Sequence, residues 1–145
     1  MRLVLFRLIG ILEVAGGLYG FAAALYRLLP LRHAHDTLVA LLALAAYAFV
    51  MVAGVLLLEG NERGIRLSRW AQLMQLPLLA TPLFSYAMHC GAFVDVSVPL
   101  HLPLHPGLDW HLGSQGFVLA LSGPARARLG IDLLALLSWL VLWWR

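Results

Sequence analysis

Residues 67–88 read LSRWAQLMQLPLLATPLFSYAM, an apolar stretch in which Arg69 is the only charged residue. A helix crossing hydrocarbon needs about 20 predominantly apolar residues, so this stretch reads as a membrane span. Pro77 and Pro82 free backbone carbonyls and should kink it. Residues 3–29 and 37–58 meet the same criterion. Residues 125–144 are a fourth candidate. Their continuous apolar part is 133–144, and Pro124, after Ser122 and Gly123, suits a first helical position and extends the helix backwards. The expected fold is therefore membrane all-α. It is a four-transmembrane-helix bundle, one integral membrane domain over residues 1–145. A small extracytoplasmic β-hairpin or sheet insert at 91–123 lies between helices three and four.

Composition agrees with a membrane address. Of 145 residues, 62% are hydrophobic and 12% charged, and the mean hydropathy is +0.88. Soluble domains carry about 45–50% apolar and about 25% charged residues. So few charges do not cover a small water-soluble globule, and so much apolar area excludes disorder. Arg2, Arg7 and a run ending in Ala22, Ala23 and Ala24 outline a signal peptide. Glu13 interrupts its apolar core, and a retained first span is expected.

Across four spans, Arg2, Arg7, Arg63, Arg66, Arg69 and Arg145 share one side, and Arg27, Arg32, Arg126 and Arg128 the other. This bias favours cytoplasmic termini. All ten basic residues are Arg, a composition expected of a GC-rich bacterial source and hence of a bacterial inner membrane. No basic cluster forms a nucleic-acid stripe. The pI near 9.6 instead reads as anchoring at an anionic leaflet. The single cysteine, Cys90, allows no intrachain disulfide.

In the first span Arg2, Phe6, Gly10, Glu13, Gly17, Gly20, Ala24 and Arg27 recur every three or four residues and share a face. Gly16 adds a second small residue four positions before Gly20. Small residues let helices approach closely in lipid, so Gly10, Gly16, Gly17 and Gly20 are the expected helix-packing positions. Ser68, Gln72, Gln75, Tyr86 and His89 form a polar stripe on the third span. Counting about 1.5 Å per residue, Glu13, Tyr47, Gln75 and Ser138 fall in one layer near the bilayer centre. That layer reads either as an ion or proton site or as hydrogen-bonded glue around a neutral carboxyl. A lone acid without a basic partner or a second carboxylate favours glue. Asp132 is expected to interact with a helix N-terminus rather than to pair with His89. Trp70, Trp139, Trp143 and Trp144 read as interfacial anchors.

Residues 94–104 alternate strictly. Val94, Val96, Val98, Leu100, Leu102 and Leu104 form one face, with Asp95, Ser97, Pro99, His101, Pro103 and His105 on the other, the pattern of a strand. A three-residue loop over His105, Pro106 and Gly107 opposes Leu104 to Leu108, Leu102 to Trp110 and Leu100 to Leu112, apolar against apolar. Pro99 and Pro103 would then blunt an exposed edge, and residues 117–121 are a third short strand. Val96, Val98, Leu100, Leu102, Leu104 and Trp110 become the expected outer assembly face. The same register sets His101 opposite His111, with Asp109 one diagonal away from His101. That candidate metal set is short of the ligands zinc wants, and a solvated polar face is expected there. No catalytic-triad, HExxH or phosphate-loop pattern occurs, and no cofactor is expected.

These readings point to a non-enzymatic integral inner-membrane protein that acts through self-assembly or as a small membrane subunit of a larger complex. Its expected partners are membrane lipid and other subunits, not nucleic acid. A second reading is an oligomeric ion or proton channel, transporter or pore-forming effector using Glu13. A membrane enzyme with an outer histidine site ranks third.

Overall fold

Long apolar sequence without an internal proline becomes uninterrupted helix. In the computed structural model, which describes residues 2–29, 34–100, 106–112, 117–120 and 127–144, the first two stretches form α1 (Arg2–Leu28) and α2 (Ala34–Leu58). They pack on each other as a hairpin. Among the described residues, these are the two helices long and apolar enough to cross a membrane, by length and composition.

The third stretch is not a span. Helix α3 (Glu62–Gln75) ends one residue before Leu76, its C-cap, and residues 77–88 fold into strands β1 (Pro77–Ala80) and β2 (Ser85–Met88). Pro77 cannot donate to a helical carbonyl and its ring collides with the preceding turn, so the helix stops there rather than kinking. Pro82 falls in the β1–β2 turn. Thr81 closes that turn, its Oγ1 donating to Phe84 O at 2.6 Å and accepting from Phe84 N at 3.0 Å.

The fourth stretch is likewise divided. Strand β6 (Arg128–Asp132) precedes α4 (Leu133–Trp143), a helix of 11 residues and about 16 Å, too short to cross hydrocarbon. The helix starts at Leu133 because Asp132 caps it, accepting from Leu134 N at 2.8 Å and Ala135 N at 3.3 Å. The start expected at Pro124 lies outside the described residues. Among the described residues, the four-transmembrane bundle is thus replaced by four helices of unequal length and a six-stranded antiparallel sheet.

With β3 (Ala92–Pro99), β4 (Gly107–Leu112) and β5 (Phe117–Ala120), the sheet has the order β4-β3-β6-β1-β2-β5. The two faces of the alternating stretch persist: Val94 opposes Trp110, and Val96 opposes both Leu108 and Ile131. The register does not persist. Trp110 pairs with Val94 instead of Leu102, eight residues away, and His111 pairs with Phe93 instead of His101. An even slip keeps every side chain on its face, so alternation alone leaves this choice open. Nor is β3 an edge. It lies between β4 and β6, and Pro99 ends it opposite Arg128. Strand β5 pairs with β2.

Two cores hold the layers together. Val50, Ala53, Tyr47 and Ala24 of the helix hairpin meet Met88, Cys90 and Phe117 from the sheet side. Ile9, Leu57 and Leu142 form the second core. It gathers the start of α1, the end of α2 and the end of α4 at one end of the helix layer. The glycines of α1 are consumed inside the chain. A Cβ at Gly20 would collide with the Tyr47 ring, and one at Gly16 with the Gly91 backbone. Gly10 and Gly17 face Leu58 and Met51 of α2.

Candidate functional site

Glu13 lies midway along α1 and is 2% exposed. Helix α3 crosses it with two donors one turn apart: Ser68 Oγ donates to Glu13 Oε2 at 2.6 Å and Gln72 Nε2 to Oε1 at 2.8 Å. Both carboxyl oxygens are therefore engaged within one chain. Gln75 and Ser138 join Glu13, Gln72, Cys90 and Asp132 around a void of about 10 Å³, room for about one water. Tyr47, expected in the same layer, stands apart. Its hydroxyl donates to His89 O at 3.2 Å, and its ring lines a separate cleft with Gly20 and Arg27.

His89 shares a hydrogen bond of 2.6 Å between Nε2 and Asp95 Oδ2, both side chains buried, and its ring lies 4.1 Å from the Phe93 ring, centroid to centroid. Asp132 makes no such pair. It caps α4 and also accepts from Val94 N at 3.3 Å. Burial raises the Asp132 carboxyl above its ordinary pKa, although three backbone amides favour the anion; neighbouring Asp95 adds to the rise. The Tyr86 hydroxyl, which donates to Met74 O at 2.8 Å, is also pushed up by burial.

The register expected for the candidate metal set is not the one formed. Asp109 faces Asp95, the His111 position faces Phe93, and His101 lies outside the described residues. Among those residues no group of three His, Cys, Asp or Glu side chains is placed to hold a metal. Cys90 is buried, with Sγ 3.9 Å from Glu13 O. On the expected assembly face, Val96 and Val98 share a side with the 71% exposed Trp110. Leu100 follows at the exposed end of β3, and Leu102 and Leu104 lie outside the described residues. Trp70, Trp143 and Trp144 are exposed, and Arg69 covers the Trp143 ring at 4.1 Å.

Sequence reasoning placed Ser68 and Gln72 on a polar stripe without making them partners of Glu13, although their four-residue spacing carried that signal. It missed Asp95, which alternation assigns to a solvated face. No protein-family model, curated protein or solved structure matches this chain.

Proposed function

We propose that this chain is a non-enzymatic, membrane-anchored protein that works through assembly with a second copy of itself. The observation that carries the reading is the outer edge of β4. No strand pairs with that edge among the described residues, and beside it Leu108 and Trp110 are 65% and 71% exposed. An unpaired apolar edge is a template for another strand. Antiparallel pairing of β4 with its copy about a two-fold axis at Trp110 sets Trp110 against Trp110, Leu108 against Leu112 and Asp109 against His111. Each pair is then met twice, once in each direction, as an isologous contact requires.

The anchor is the α1–α2 hairpin. Leu8, Ile11, Leu18 and Leu25 on α1, and Leu38, Leu41 and Val52 on α2, are exposed, an apolar surface suited to lipid. With two spans, Arg2, Arg7, Arg63, Arg66 and Arg69 flank one end and Arg27 and Arg32 the other. That bias supports cytoplasmic termini in a bacterial inner membrane. Glu13, saturated by α3, serves as packing glue, which supports assembly over conduction.

Native mass in mild detergent tests the reading. The wild type is expected as a dimer and Trp110→Asp as a monomer with unchanged helix and strand content. A monomeric wild type, or a dimer unaffected by Trp110→Asp, contradicts it.

A further inference from the structure

The sheet face opposite Trp110 carries small and charged residues. By register, Asp109, Asp95 and Asp132 form one cross-strand row, Ser97 and Gly130 share the next, and Arg128, Ala80 and Ser85 form the one after. This face lines a cleft of about 740 Å³, within the range of about 300–1,000 Å³ usual for small-ligand sites. Two features of its lining are unexplained by the fold. Asp95 Oδ1 and Ser85 Oγ are buried without a hydrogen-bond partner, in residues 5% and 7% exposed. Orphaned buried polar atoms are rare and call for a missing partner.

The charges say what kind of partner. Asp109 stands directly opposite Asp95, and facing like charges destabilise a strand pair; His89 engages Asp95 through Oδ2, and Oδ1 remains without a partner. A metal is disfavoured, since no three-ligand cluster exists among the described residues. An organic ammonium satisfies the same charge. Arg128, two rows away, is exposed and has no ion-pair partner among the described residues. It offers a complement to an anion, with Ser85 in its row. Four residues of strand separate the two rows along the chain, about 13 Å, the reach of about four residues of extended peptide. Between them stand Ser97, Gly130 and Leu78, with the Leu78 side chain lying over Gly130.

We propose that this cleft binds a short peptide of about four residues with both termini free. Its ammonium group meets Asp95 and Asp109, and its carboxylate meets Arg128 and Ser85.

Calorimetric titration of the full chain in detergent with unblocked tetra-alanine, its N-acetyl form and its C-amide form tests this. The free peptide is expected to bind saturably, and either block to weaken it about tenfold or more. Asp109→Asn should abolish the sensitivity to acetylation, and Arg128→Gln the sensitivity to amidation. Both positions are exposed, and circular dichroism checks that each variant keeps its fold. Absence of saturable binding at millimolar peptide, equal binding of the blocked forms, or displacement of the peptide by zinc chloride alone would overturn the proposal.

Discussion

At the scale of single residues, two buried acids show how a carboxyl group is kept inside this chain. Glu13 is held by donors from α3, Ser68 and Gln72. Glu13→Gln keeps an acceptor for one donor and offers an amide to the Ser68 hydroxyl, so its cost should stay within about 1 kcal/mol. Glu13→Ala strands both donors and opens a cavity, and should cost about 2–4 kcal/mol. Denaturant unfolding in detergent distinguishes them; a Gln variant as damaged as the Ala variant contradicts the glue role. Asp132 behaves differently. Its raised carboxyl pKa means that the folded chain retains this proton to higher pH than the unfolded chain does. Its contribution to stability is therefore fullest below the ordinary carboxyl range and declines as pH rises through the folded value. Asparagine caps helices as well as aspartate. Asp132→Asn should flatten the change in melting temperature between about pH 4 and about pH 7 without loss of stability at the upper end. A steeper slope would contradict this.

Among the elements, α1 and α2 were legible because nothing in them competes with helix: long apolar runs, no internal proline, and glycines on one face. The close approach at Gly16 gives a direct test. Gly16→Val forces side-chain atoms onto the Gly91 backbone, and should destabilise by about 1–3 kcal/mol with a lowered melting temperature. An unchanged melting temperature would mean that the α1–Gly91 contact is looser than described. Residues 77–88 were illegible as strands because a short apolar run reads alike as buried helix or buried strand. The alternation in residues 94–104 revealed which residues share a face, yet not the register, since a period of two fits every even slip. Rise counting brought Glu13, Gln75 and Ser138 to one level, and they do line one void. It failed for Tyr47, which faces the sheet-side core. Asp95 was hidden because its partner, His89, reaches it from beyond the end of β2.

For the whole molecule, the apolar excess divides between a helix hairpin and a sheet. In one half of the helix layer α3 and α4 accompany α1 and α2; in the other half, strands β2 and β5 take their place against Tyr47 and Val50. On the proposed reading α1 and α2 contact lipid, whereas residues 77–80 and 85–88 are strands. Solid-state NMR of the labelled protein in lipid bilayers reads both at once. Helical Cα shifts with acyl-chain contacts are expected at Leu41 and Val52, and strand shifts at Leu78, Leu79, Tyr86 and Ala87. Continuous helical shifts through residues 77–88, or no acyl-chain contact anywhere on α1 and α2, would contradict it.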